Sequence, residues 1–286
     1  DTATAKTPVP AVMCFPGSVF SKEYLAGEEL LESPVCRFEK YPERNRMALW
    51  MVKNGMVAIA FDHPEIAECA IDVRDVPANY YATRTHLCFG YIQSGMCYPG
   101  VSVFQKLVAL DFIKTLPYVK ENNIATCGHS LGSLPALMVG MFRKEVKAVV
   151  FNDFVCDPRV HYSAITEEPS TDMQQSIGNW HEIPGLWRWF GHQDMLAALA
   201  PKYLALNEGG AEEWLDTVRR AYEINGVSAR LQITYYPKYR DSEQNRLPMP
   251  DKGLSIDTFF EIAKVDAPDH SFRGEPTVRF LKKVFE

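Results

Sequence analysis

No stretch of this 286-residue chain approaches the roughly 18 consecutive apolar residues that a membrane-spanning helix requires, so no span is expected. An excess of basic residues is also lacking. Thirty Lys and Arg face 36 Asp and Glu, a formal charge of −6, which argues against nucleic acid or an anionic membrane as partner. There is no Cys-x-x-Cys and no His-Glu-x-x-His, so no metal site is expected. The seven cysteines are odd in number and cannot all pair. Cys14 and Cys127 fall in apolar runs, where a free thiol behaves as a small hydrophobe. Internal repeats, low-complexity tracts and linkers are absent too, so residues 1–286 are read as a single domain. The first residue is Asp1 rather than methionine, so a leader or longer N-terminal segment is expected to have been removed. That leaves the compartment open, with a lean to a secreted or periplasmic bacterial protein over a cytoplasmic one.

What is present is a large apolar fraction, 47%, spread in short runs. Runs at 12–15, 56–61, 124–127, 146–152, 203–207 and 231–236 read as strands. Helical patterns at 45–53, 102–115, 131–142, 212–225 and 277–285 alternate with them. Val103, Leu107 and Leu110 give the second helix an apolar stripe at i, i+4, i+7. Such alternation predicts an α/β fold, a mostly parallel sheet with helices on both faces. Pro135 is a local conflict, since it sits about a turn into its helix and lacks the N–H that helix needs. Two long excursions leave the sheet, at 63–101 and 154–193. The second carries Trp180, Trp187, Trp189 and Phe190, read either as a lid that binds substrate or as packing of the excursion onto the domain.

The run Gly128-His129-Ser130-Leu131-Gly132 between a strand and a helix spells G-x-S-x-G, a turn that lifts a serine to the carboxyl edge of a parallel sheet. Glycines two residues either side spare a clash with the neighbouring strand and helix. A serine hydroxyl needs a general base, itself oriented by an acid. His270, in Asp269-His270-Ser271 before the closing helix, is the candidate base. His63, His86, His161, His181 and His192 lie in excursions and are read as surface or pocket-lining residues; the side chain of His129 is expected to leave the turn in another direction. The acid is expected after the next-to-last strand, in Asn207-Glu208-Gly209-Gly210-Ala211-Glu212-Glu213. The Gly209-Gly210 turn favours Glu212. Glu213, Glu208 and Asp216 compete with it, and Asp153 at the end of the preceding strand is a further alternative. An oxyanion hole would combine the Leu131 N–H with one from the loop Pro16-Gly17-Ser18-Val19, where small Gly17 admits substrate and Ser18 or Val19 donates.

Taken in order, Pro16-Gly17-Ser18, Gly128-His129-Ser130-Leu131-Gly132 and Asp269-His270 resemble the α/β-hydrolase superfamily over nearly the whole chain. Leu25-Ala26-Gly27-Glu28, Ala109-Leu110-Asp111-Phe112, Asn152-Asp153-Phe154 and Leu199-Ala200-Pro201 narrow the resemblance to its bacterial acetyl-xylan-esterase-like and dienelactone-hydrolase-like branch. That resemblance implies a serine esterase without cofactor that removes short acyl groups, often acetyl, from carbohydrate or small esters. Two departures stand out: no counterpart of the superfamily's first two strands precedes Val12, and the acid station offers Glu-Glu where aspartate is more usual. The competing readings are a serine peptidase, an acyltransferase and a catalytically silent hydrolase fold used for binding.

Overall fold

Six of the apolar runs pair into one parallel sheet in the order β2-β1-β3-β4-β5-β6. The protein is seen in a computed structural model that describes residues 3–18, 21–28, 45–70, 80–158, 179–240 and 254–286. The strands are β1 (Val9–Phe15), β2 (Val57–Ala60), β3 (Val119–His129), β4 (Val146–Asn152), β5 (Tyr203–Leu206) and β6 (Leu231–Ile233). Strand β3 begins earlier than its apolar centre: Val119 pairs with Val9, and exposed Lys120, Glu121 and Asn122 bulge out before pairing resumes between Ile124 and Ala11. Among the described residues, no strand precedes β1.

Helices cover both faces. They are α1 (Lys22–Ala26), α2 (Met47–Val52), α3 (Tyr80–Gln93), α4 (Tyr98–Ile113), α5 (Ser133–Phe142), α6 (His192–Ala197), α7 (Glu212–Ile224), α8 (Ile256–Ala263) and α9 (Gly274–Phe285). The alternation of strand side chains sorts the core in two. Met13, Phe15, Val149, Phe151, Leu204 and Leu206 face a layer that includes α4, α5 and α7. Cys14, Ala125, Cys127, Ala148 and Ala205 face α2 and α9. Small residues on that second face leave room for the bulky Met47, Met51, Phe280 and Leu281. Cys14 and Cys127 are buried free thiols, as their apolar setting implies. No helix among the described residues is long and apolar enough to cross a membrane.

One reading of the sequence changes here. Pro135 creates no conflict, because α5 starts only at Ser133 and a proline in the first turn gives up an N–H that has no partner within the helix. The excursion at 63–101 carries α3. On α4 the stripe holds at Val103 and Leu110, which are buried, while Leu107 is half-buried; Lys106 and Ile113 are buried beside them.

The topology sets where chemistry can occur. From β1 the chain moves outward to β2, then returns to β3 and proceeds the other way through β4, β5 and β6. Strand order therefore reverses between β1 and β3, and a crevice opens outside the carboxyl ends of strands at such a point. Phe15 lies opposite Gly128 and His129 opposite Asn152, so the loops after β1, β3 and β4 emerge side by side.

Candidate active site

The turn after β3 is tight. Ser130 adopts φ +50°, a left-handed conformation costly for a residue with a side chain. Both flanking glycines are required by close approach: a Cβ on Gly128 would strike the Gly132 carbonyl, and one on Gly132 would strike the carbonyls of Phe15 and Pro16. The second contact presses the elbow against the loop after β1. Leu131, the residue after the serine, is buried among Cys88, Tyr98 and Trp180.

His270 follows a short 3-10 turn at Ala267–Asp269, just before α9. Its Nδ1 lies 2.6 Å from Glu208 Oε2. The Tyr236 hydroxyl donates to the same oxygen at 2.8 Å. The second oxygen of Glu208 accepts from the Ser271 N–H at 3.2 Å and from Asn152 Nδ2 at 3.4 Å. Asn152 ties the loop further, since its Oδ1 accepts from the Arg273 N–H at 2.8 Å and its Nδ2 donates to the Ser271 carbonyl at 3.1 Å. The His270 ring sits 4.8 Å from the His129 ring, centroid to centroid, which sets it against the elbow.

The charges are mutually supporting. Burial alone would push Glu208 up, but the neighbouring His270 charge and hydrogen bonds hold its carboxyl below the usual value. Burial would likewise push His270 down, but Glu208 beside it raises the imidazole above its ordinary 6.5. His129 is held down at about 4, by burial and by His270, and so stays neutral.

The structure therefore pairs His270 with Glu208 rather than with Glu212. Gly209 and Gly210 have φ +63° and +154°, and Gly210 bridges to Val155, so the chain turns away from the crevice after Glu208. Glu212 opens α7 elsewhere, where its carboxylate binds Arg219 at 2.6 Å, the Tyr235 hydroxyl at 2.7 Å and Lys264 at 3.0 Å. Glu213 is exposed and Asp216 pairs with Arg219 at 2.8 Å. Asp153 accepts from the N–H of Phe154 at 2.9 Å, and burial with the nearby Glu208 charge raises its carboxyl to about 7.

A consequence for Glu212 can be measured. Glu212→Gln is expected to cost about 3 kcal/mol of stability, because it removes the buried carboxylate charge that faces Lys264 and Arg219. Its kcat should stay within about threefold of the parent. Urea unfolding and steady-state kinetics check both halves, and a large kcat loss in the folded variant would return Glu212 to the site.

The three tryptophans do not gather into one surface. Trp180 is buried beside Leu131, Trp187 is half-buried with its ring 5.3 Å from His192, and Trp189 is 70% exposed. Of the histidines read as surface or pocket-lining residues, His63 is fully buried, His86 is exposed, His181 and His192 are half-buried, and His161 lies outside the described residues, as does Val19. Tyr236 and Arg273 join the site without any sequence signal, and Asn152 of the Asn152-Asp153-Phe154 run joins it from the end of β4.

Donor atoms of His129, Glu208 and His270 lie within 4.8 Å of one another, close enough to suggest a metal triad. Each is already engaged: His129 Nδ1 lies 3.1 Å from Asn152 Nδ2, and Glu208 Oε2 receives both His270 and Tyr236. The set reads as a hydrogen-bonded array built around an imidazole.

A parallel sheet reversing at β1/β3, with a serine elbow at the reversal and a histidine–carboxylate pair beside it, defines an α/β-hydrolase fold. The chain belongs to the abhydrolase family Abhydrolase_7, whose profile matches residues 1–283. It is similar to a protein from Bacteroides fragilis NCTC 9343 proposed to be an acetyl xylan esterase, with 32% identity and a TM-score of 0.87 over 99% of this chain and 73% of that one. A glucuronoyl esterase from Solibacter usitatus shares the fold at 12% identity and TM-score 0.53, over 99% of this chain and 76% of the other. No curated protein matches the chain.

Proposed function

We propose that the protein is a serine carboxylic-ester hydrolase that removes short acyl groups, acetyl foremost, from carbohydrate or other small polar alcohols. The observation that carries this reading is the 2.6 Å contact of Glu208 with His270, set beside a serine held at φ +50°. Ser130 attacks the ester carbonyl and His270 takes its proton. Glu208 fixes the ring and stabilises the imidazolium that forms. The N–H of Leu131 and one from the Gly17–Ser18 loop receive the oxyanion. The alcohol leaves with the proton from His270, and water then attacks the acyl-serine by the same route in reverse order. Preference for acetyl follows from crowding, since Leu131, Tyr98 and Trp180 fill the space beside the elbow. The similarity to the Bacteroides fragilis protein supports the same substrate class.

Two experiments test the reading. A fluorophosphonate probe should label Ser130 and no other serine; failure to label the folded protein would sink the mechanism. Among acetyl, butyryl and octanoyl esters of one alcohol, kcat/KM should fall by at least about tenfold from acetyl to octanoyl, one methylene in a tight pocket being worth about 1 kcal/mol or more. Trp180→Ala should relax that preference, whereas Trp189→Ala, at an exposed position, should not. An enzyme that prefers octanoyl would carry a lipase-like pocket instead.

A further inference from the structure

The loop after β1 is gripped from behind by two buried side chains that the reaction itself does not use. His63, just beyond β2 and fully buried, has Nε2 2.8 Å from the Pro16 carbonyl oxygen. Because a carbonyl only accepts, that nitrogen carries the proton. Burial and the nearby Lys106 and Arg84 charges keep the imidazole neutral, so its donor is permanent. Arg84, on α3 and also fully buried, donates from its terminal nitrogen to the Ser18 carbonyl at 2.6 Å.

Arg84 is itself held on several sides. Its Nε donates to Glu65 Oε1 at 2.5 Å, and both side chains are wholly shielded from solvent. The Tyr98 hydroxyl donates to that same carboxylate oxygen at 3.2 Å. The guanidinium carbon lies 5.3 Å from the Trp180 ring centre and 5.8 Å from that of Tyr98, so two aromatic rings confine it. Glu65 and Ala67 have φ +74° and +49°, two left-handed residues in a short segment whose geometry delivers this carboxylate. Strain of that kind persists only where surrounding contacts over-determine it, and it clusters at functional sites.

We infer that Arg84 and His63 are positioning residues of the oxyanion loop, gripping the two carbonyls that bracket Gly17 so that the loop's N–H groups are fixed relative to Ser130. This inference rests on the esterase reading for its catalytic meaning. A trans peptide unit carries its C=O and N–H on opposite edges. Holding the Pro16 carbonyl therefore fixes the direction of the Gly17 N–H in the same plane, and holding the Ser18 carbonyl as well anchors the Gly17–Ser18 unit at both ends. An oxyanion hole works only if its donors are aimed before the charge develops, and a loop with Gly17 at its centre has no stiffness of its own to keep that aim. The same guanidinium touches Trp180 of the second excursion and, through the Leu131 cluster, borders the other donor. Arg84 thus sits between both halves of the hole.

The test compares Arg84→Met/Glu65→Gln, which removes the cation without orphaning a buried carboxylate, with Arg84→Lys and with His63→Leu. On p-nitrophenyl acetate the double variant should lose about a hundredfold in kcat, the effect of one misaimed oxyanion donor, while KM changes less than about threefold. Inhibition by phenylboronic acid, which needs the hole to hold its tetrahedral adduct, should weaken by a similar factor. Arg84→Lys should recover part of both. A variant that melts earlier yet keeps kcat and boronate affinity within threefold of the parent would show that the residues only support the fold, and would overturn the inference. Amide hydrogen exchange over residues 12–18 is read independently of activity and should quicken at least about tenfold in the double variant. If the parent proves inactive on esters, the esterase reading falls, and unchanged exchange over 12–18 would separately overturn the grip. If the double variant does not fold, His63→Leu, which loses one neutral donor, is judged by the same measurements.

Discussion

Ser130→Ala is expected to lower kcat for acetyl esters by about 10⁵–10⁶-fold while leaving the protein folded. The size follows from what remains: an oxyanion hole and a binding site without a nucleophile, together worth only about 10³–10⁴ over water. Folding should be indifferent to the hydroxyl, because alanine meets the same steric demand at φ +50° that serine already meets. Ser130→Gly sharpens the point. It should be equally inactive yet more stable by about 1 kcal/mol, since glycine adopts that conformation without strain. Ser130→Ala/His270→Ala should lose little beyond either single change, as members of one relay act as a unit. Activity of Ser130→Ala within about tenfold of the parent would remove the nucleophile from this position.

The features legible in the sequence were those set by local pattern. Strand β4 falls where its apolar run ends, at Val146 and Asn152, because every position in it except half-buried Lys147 is buried. The elbow was legible because two glycines at fixed spacing answer a steric need that the structure displays as clashes with carbonyl groups. Helix α3 was not legible. Its sequence Tyr80–Gln93 mixes aromatics, two threonines and Gly90 without an apolar stripe, and it is held through single contacts such as that of Arg84. The sequence leaves the partner of His270 open among Glu212, Glu213, Glu208 and Asp216, with Asp153 as a further alternative. Glu208 and Glu212 lie one on each side of Gly209-Gly210, and only the backbone angles of those glycines decide which carboxylate the turn leaves facing the crevice. The residues behind the Gly17 loop carry little signal, His63 reading only as surface or pocket-lining and Arg84 not standing out, because a lone histidine and a lone arginine in an excursion have no period. Their meaning comes from carbonyls some 47 and 66 positions away in the chain.

Glu208→Gln is expected to lower kcat by about 10³–10⁴-fold and, as a separate signature, to shift the pH dependence of what activity remains. The amide keeps the shape of the side chain. It cannot stabilise the imidazolium, and its NH₂ group can turn the ring to the wrong tautomer. The direction of the pH shift follows from the charge. In the proposed mechanism His270 is a base only when neutral, so kcat/KM should rise as pH climbs through its pKa. In the parent, Glu208 holds that pKa above 6.5, and the rise should fall on the alkaline side of that value. Removing the carboxylate takes away the support for the charged ring while burial still opposes it, so the rise should move to lower pH. Stability carries the matching signs. The raised pKa of His270 gives the folded parent an advantage that is complete below the unfolded value near 6.5 and fades as pH rises through the folded one. Glu208, lowered in the fold, contributes above the carboxylate's unfolded value of 4.5, and that contribution is lost as pH falls through the folded value. In Glu208→Gln both dependences should flatten. Glu212→Gln, whose carboxylate serves Arg219 and Lys264, should leave the position of the rise in kcat/KM unmoved. Profiles of kcat/KM from pH 5 to 10 for the parent and both variants decide the matter. A Glu208→Gln enzyme with a rise unmoved and activity within tenfold would show that the 2.6 Å contact orients nothing that catalysis needs.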